Sequence, residues 1–232
     1  MILMGQDWAA DEKPSLMGEA YRALKEAIRN NALPPGFQGS EQEIATRLGM
    51  SRSPVHEAVL RLQEEGLVRI RPKRGVVICA LSPQDMKEIY EVAIALEAVA
   101  AELLAAQPPE LRHPFCDEMD RLNGDMKQAL SADDLDAWAQ ADEEFHRSLV
   151  ERCGNRRIAK MAQTIRDQYH RARMLTLRMR ARPAQSVEDH QAIVAAIRAG
   201  EITAAHDAAR SHRIRARDEL LPILLRNGIR HL

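Results

Sequence analysis

Apolar positions recur along this chain in two rhythms. Over most of its length they return every three to four residues, the spacing of an amphipathic helix, and in one place they follow the shorter period of a strand. That place is LVRIRPKRGVVIC, residues 67–79, where two β-branched runs around Pro72, Lys73, Arg74 and Gly75 predict a hairpin. Ahead of it the pattern predicts three short helices at about 15–31, 41–48 and 52–65, ended by Leu33-Pro34-Pro35-Gly36, Gly49 and Gly66. Behind it, Ser82 and Pro83 read as an N-cap with proline at the first helical position, opening an alanine-rich helix to about residue 106. Further helices are expected at about 109–130, 133–152, 155–181, 186–199 and 201–225, separated by Pro108-Pro109, Ser131, Gly154, Pro183 and Gly200. The predicted organisation is a mostly α chain. A flexible tail over 1–14 leads into a small helical domain with a hairpin over 15–80, and then an all-α bundle over 83–228.

The composition is that of an ordinary soluble protein: 232 residues, 45% hydrophobic, 29% charged and 3% aromatic. No apolar run approaches the roughly 18 to 20 residues needed to cross a bilayer, which argues against a membrane protein. The N-terminal MILMGQDWAADEK lacks the basic patch, apolar run and cleavage site of a secretory signal. Cys79, Cys116 and Cys153 are widely spaced and form no C-x-x-C pair, against both a disulfide framework and a thiolate zinc site. A cytoplasmic location is expected.

The near balance of 33 Lys+Arg against 34 Asp+Glu hides a partition. Residues 1–82 carry 11 basic against 10 acidic side chains, 83–162 carry 9 against 17, and 163–232 carry 13 against 7. Within the first block, 44–80 has seven basic residues against three acidic, so a polyanion partner for that part is compatible with the whole-chain charge.

In EIATRLGMSRSPVHEAVLRL, a helix ending at Leu48 meets a tight turn at Gly49, and Ser51 is placed to cap a second helix starting at Arg52. This is helix-turn-helix spacing. On a helical wheel Val55, Ala58, Val59 and Leu62 face inward, Ser53 and His56 point elsewhere, and Arg52 lies on the fringe. The free N–H groups of such a helix start favour phosphate and its first side chains reach base edges, while Arg71, Lys73 and Arg74 around Gly75 would form a basic wing.

The stretch LPPGFQGSEQEIATRLGMSRSPVHEAVLRLQEEGLVRIRPKRGVVI, with its prolines, SR-x-PV core and EGLV in order, resembles the winged-helix domain of the GntR superfamily of bacterial transcription regulators. The resemblance implies operator contacts from arginines on the second and third helices; in this chain contacts are expected from Gln42, Arg52, Ser53 and His56 on those helices and from Lys73, Arg74 and Gly75 of the wing. Arg52 matches a family arginine, whereas Gln42 and His56 stand where the family usually has arginine, and neither reproduces bidentate guanine reading.

In the second domain, Trp138, Phe145 and Leu149 define an inward stripe, with Asp142 beside it and His146 one turn on at its edge. His190 sits within the arc of Val187, Ile193, Val194 and Ile197, and His212 shares a face with Ala205, Ala208, Ala209, Ala216 and Ile223. Burying a carboxylate and three imidazoles is costly unless they are paired or bind a cation, and this donor set suits zinc, nickel, cobalt or manganese. His113, His170 and His206 read as surface or locally bonded.

The segments IYEVAIALEAVAAELLAA, ADEEFHRSLV and VEDHQAIVAAIRAGEITAAHDAARSHR are similar to the FCD effector domain of FadR-like GntR regulators. That resemblance implies a divalent metal held by Asp142, His146, His190 and His212, zinc, nickel or manganese above all, with positions open to a small organic-acid effector or water. Ala93 stands where many members carry an arginine for the acid. Arg171 and Arg173, the latter at the edge of the apolar arc of its helix, are the candidate replacements.

The expected function is a ligand-responsive, DNA-binding transcription regulator, a repressor acting as a homodimer on an inverted repeat in double-stranded operator DNA. Two alternatives are a metal-sensing regulator with the ion itself as effector and a metal-dependent hydrolase. The latter needs a base beside metal-bound water, and Glu143 and Glu144 point away from Asp142 on the wheel. No catalytic residue is assigned and an enzyme is not expected.

Overall fold

The computed structural model describes residues 15–179 and 182–226, the side chains of 171 and 175 excepted; the expected tail over 1–14 lies outside these residues. The chain divides after Cys79 into two compact units.

The first unit is built from α1 (Leu16–Arg29), β1 (Gln38–Gly39), α2 (Glu41–Leu48), α3 (Arg52–Glu64), β2 (Val68–Arg71) and β3 (Gly75–Ile78). The apolar faces read from the sequence close one core: Ala20, Leu24 and Ile28 of α1, Ile44 and Ala45 of α2, Val55, Ala58, Val59 and Leu62 of α3, and Val76 and Ile78 of β3 are all buried. Gly49 ends α2 at φ 66°, in the left-handed region that an L side chain enters at a cost. Ser51 occupies the N-cap position of α3 with extended backbone, but its hydroxyl makes no capping hydrogen bond, unlike Ser40 on α2.

The hairpin is part of a three-stranded antiparallel sheet in the order β1-β3-β2, where the sequence predicts two strands only. β3 pairs with β2 in the register Val68↔Ile78 to Arg71↔Gly75, and its other edge takes Gln38↔Val77 and Gly39↔Val76. A two-residue strand of Gln and Gly has no alternation to detect, and its pairing is set by tertiary contact. It explains Gly75: at φ 79°, a Cβ there would stand 2.4 Å from the Gly39 carbonyl oxygen. The lack of a side chain at Gly75 is thus demanded by β1, independently of any approach to DNA.

The second unit comprises α4 (Pro83–Ala105), α5 (Pro109–Ser131), α6 (Leu135–Glu151), α7 (Arg156–Leu177), α8 (Ala184–Ala199) and α9 (Ile202–Arg226). The starts of α4, α6 and α7 are capped by side chains. Ser82 and Asp85 form a reciprocal capping box with Pro83 at the first helical position of α4, Asp134 caps α6 and Asn155 caps α7. α4 packs on α9, α7 and α6, and α5 on α6 and α8, so α4 and α9 bring their polar inward residues to the middle of the bundle. Trp138, Phe115, Phe145 and Leu149 lie in the larger core, and Tyr90, Tyr169 and Leu220 in a second cluster.

Replacing Gly49 by Ala, where a Cβ meets nothing within 4 Å, is expected to cost only the backbone penalty, about 1 kcal/mol. Gly75→Ala adds the contact with Gly39 and should cost on the order of 2–3 kcal/mol. Guanidinium unfolding of the two full-length variants checks this, and equal losses would remove the role given to β1.

Candidate functional site

Asp142 and His146 lie one turn apart on α6, His190 lies in α8 and His212 in α9, and all four are buried. The three imidazoles turn the same atom to one point: Nε2 of His190 is 3.3 Å from that of His146 and 3.2 Å from that of His212, and the third separation is 3.3 Å. Asp142 Oδ1 is 3.8 Å from Nε2 of both His146 and His190. Its other oxygen accepts from Arg173.

The opposite ring atoms explain this orientation. His146 Nδ1 lies 2.9 Å from Glu97 Oε2 on α4, and His212 Nδ1 lies 3.2 Å from Asp189 Oδ2 on α8. A carboxylate only accepts, so each ring proton sits on Nδ1 and the Nε2 lone pairs face one another. His190 stacks on Phe145 with ring centroids 4.0 Å apart, and its buried Nδ1 has no partner among the described residues. The lone pairs of His146 and His212 cannot satisfy one another, and His190 has at most one ring proton to offer them through Nε2, whereas a cation at the focus takes all three nitrogens; carboxylates on the outer nitrogens of His146 and His212 are the usual support of metal-bound histidines. The three imidazole nitrogens therefore fit a divalent transition metal, and Asp142 Oδ1, 3.8 Å from two of them, stands beside the group as a further donor.

Burial is the main reason that His190 and His212 stay uncharged. It pushes the pKa of His212 down to about 4, opposed by the hydrogen bond to Asp189 and helped by nearby His146 and Arg213. His190 is held well below the ordinary imidazole range by burial and then by its neighbours His212 and His146. Around the triad the acids are paired with guanidiniums. Arg213 donates to Glu97 through Nε at 2.7 Å and through Nη2, which also reaches the Tyr169 hydroxyl at 3.1 Å. Burial opposes ionisation of Glu97, but the attraction of Arg213 and His146 outweighs it and holds the carboxyl far below its usual range. Arg215 donates to Asp189 at 2.7 Å.

Of the two candidate effector arginines, Arg173 is buried, donating to Asp142, to the Ala139 carbonyl at 3.0 Å and to Glu143 at 3.1 Å. The side chain of Arg171 lies outside the described residues. A cavity of about 30 Å³, the liquid-state share of roughly one water, is lined by His146, His212, Arg173, Arg215 and Trp138. The buried indole N–H of Trp138 has no acceptor among the described residues. Ala93 is itself buried, one turn before Glu97.

Glu143 departs from the wheel reading. It reaches Arg173 and also pairs with His170 at 2.9 Å, so it supports the site's edge instead of pointing away. Glu144 does turn away, to Arg147 and Ser148. His206 bonds Asp207, and His113 is exposed. Sequence reasoning missed Glu97, Asp189 and Arg213. Glu97 had a signal, as a lone acid on the face of Ala93, Ala100, Ala101 and Leu104. Asp189 and Arg213 adjoin ligand histidines and had none.

In the first unit, Arg52 has a side chain 68% exposed, Gln42, Ser53, His56, Lys73 and Arg74 are exposed, and Gly75 is half-buried. Gln42, Arg52, Arg71, Lys73 and Gly75 line one groove between α2, α3 and the hairpin. Gln38 Nε2 donates to the Arg74 carbonyl at 2.9 Å and so ties the hairpin tip to β1.

Comparison with known proteins matches the FCD domain to residues 88–215 and the bacterial regulatory proteins of the gntR family to residues 16–78. An HTH-type transcriptional regulator in the TAR-I ttuE-ttuC' intergenic region of Agrobacterium vitis is 54% identical over 131 residues, 56% of this chain and 77% of that protein. One in an unstable DNA locus of Streptomyces ambofaciens is 32% identical over 200 residues, 84% of this chain and 80% of the relative. The repressor RspR of Escherichia coli K12 is 29% identical over 133 residues, 57% of each chain. Among solved structures, E. coli McbR/YncC superposes with a TM-score of 0.73 at 20% identity, covering 90% of this chain and 98% of that one, a likeness of fold. Fold and relatives define a DNA-binding transcription regulator. The chain belongs to the GntR family and carries an FCD domain.

Because the folded protein excludes protons that unfolded histidines take up, the shifts of His190 and His212 act in one direction. Above about pH 6.5 both states are uncharged and nothing changes. As pH falls from there toward about 4, where His212 titrates in the fold, metal-stripped protein should lose up to about 1.4 kcal/mol of stability per pH unit per histidine. Guanidinium unfolding after chelation, at pH 7 and pH 5, measures this; a double His190→Asn, His212→Asn variant with the same pH slope would disprove it.

Proposed function

We propose that this GntR-family regulator holds a divalent metal ion on His146, His190, His212 and Asp142 and responds to a small organic acid at that centre. The observation that carries the reading is the convergence of three buried Nε2 atoms within 3.3 Å, with Asp142 Oδ1 turned to the same point. Zinc, nickel and manganese suit these donors, and the bound ion would supply an electrophilic anchor for a carboxylate. Arg173 is the cation placed to take the acid's charge, in the role left vacant by Ala93; Arg171 is the second candidate.

In this proposal the regulator is cytoplasmic and acts as a homodimer on an inverted repeat, as a repressor. Arg52 and Ser53 read the groove together with Gln42 and His56, and Lys73, Arg74 and Gly75 form the wing. Effector binding alters DNA affinity only if the DNA-competent and incompetent states bind the effector differently. In this reading entry of the acid beside the histidines widens the small cavity of about 30 Å³ there, and that displacement is the coupling event. The small volume left beside the histidines favours a second reading, in which the ion itself is the effector.

Elemental analysis of the purified protein is expected to find close to one equivalent of transition metal per chain, lost in the His190→Ala, His212→Ala double variant; equal metal in both proteins would refute the centre. Titrating operator binding with metal alone and with metal plus organic acids separates the two readings. A response to metal alone supports the ion as effector, and a response only in the presence of acid supports the first. Arg52→Ala should weaken operator binding at least tenfold in gel-shift titration with unfolding unchanged; undiminished affinity would take Arg52 out of the reading set.

A further inference from the structure

The reading face carries an acid in a place where a bound duplex would repel it. Glu41 is the first residue of α2, its side chain only 16% exposed, and both oxygens face α3: Oε1 lies 2.8 Å from His56 Nδ1 and Oε2 lies 3.4 Å from Arg52 Nε. A carboxylate beside the phosphates of DNA weakens binding, so its presence there needs a local reason. The hydrogen bond from His56, opposed by partial burial and joined by the hydrogen bond and charge of Arg52, holds the Glu41 carboxyl below its ordinary range. Ionised, it can only accept, and the proton between it and the imidazole belongs to Nδ1.

That assignment decides what His56 can offer. A ring with one proton carries it on Nδ1, and Nε2, across the ring, shows a lone pair. The side chain is 48% exposed, and Nε2 has no hydrogen-bond partner among the described residues. Arg52 contacts Glu41 through Nε alone and is more exposed, so its outer nitrogens stay available to DNA. Lys73 and Arg71, across the same groove from Glu41, supply the positive charge that offsets the acid.

We propose that Glu41 is a specificity-determining positioning residue: it selects the Nδ1–H tautomer of His56 and presents Nε2 as an acceptor for the exocyclic amine of adenine or cytosine in the major groove. An imidazole so fixed discriminates against guanine and thymine, which offer acceptors at the corresponding edge. The inference rests on the winged helix reading operator DNA through α3.

Selection of duplexes from a randomised library by the full-length protein, followed by anisotropy titration of single-position variants, tests it. The wild type should prefer adenine or cytosine at one position of each half-site by on the order of tenfold. His56→Ala should abolish that preference, and Glu41→Ala should abolish it too while preferences at other positions persist. Glu41→Gln, whose amide oxygen still accepts from Nδ1, should retain it. An unchanged preference in Glu41→Ala, a uniform loss at every position with a lowered melting temperature, or guanine at the position lost in His56→Ala would each overturn the proposal. A wild type that selects no sequence would instead refute DNA reading by this helix.

Discussion

The buried pair of Glu97 and Arg213 is the contact on which the second unit depends. It joins α4 to α9, reaches α6 where His146 Nδ1 meets the carboxylate and α7 where the guanidinium donates to the Tyr169 hydroxyl, so four helices meet at one ion pair. Two charges removed from water are costly, and the pair is tolerable because its hydrogen-bonding capacity is used on several sides. Loss of either partner would leave the other charge buried and alone, a penalty on the order of 3–5 kcal/mol. The same carboxylate fixes the proton of His146. Helix packing and the tautomer of a candidate ligand are thus set by a single group.

The other two imidazoles are held differently. Asp189, tied to Arg215, orients His212 from the outer face of α8, while His190 is fixed by stacking on Phe145 and by no hydrogen bond at its outer nitrogen. Two rings are therefore set by charge and one by shape. Apolar packing supplies the rigidity that holds His190 Nε2 against the lone pairs of the other two rings.

Helix number, the turn at Gly49, the inward positions of Asp142 and the three histidines, and the exposure of Arg52 were all legible in the sequence, because each depends on periodicity or on a local capping rule. What escaped it depends on contacts between distant segments. β1 exists only because β3 offers it an edge, and the hydroxyl of Ser51 leaves unmade the bond its position suggests. Glu41 meets His56 and Arg52 only because α3 packs against the start of α2. Glu143, turned from Asp142 on the wheel, is drawn back by Arg173, which a helix considered alone does not contain.

Asp142 offers one oxygen to the histidine triad and the other to Arg173, so the two sides draw on one charge. Whatever engages Arg173 from outside frees that charge for a cation among the histidines, and a cation there loosens the hold on the arginine. Linkage of this kind is reciprocal. Occupancy at one end of the carboxylate would then be readable at the other, so that an anion on Arg173 would tighten the hold of the histidines on any cation among them.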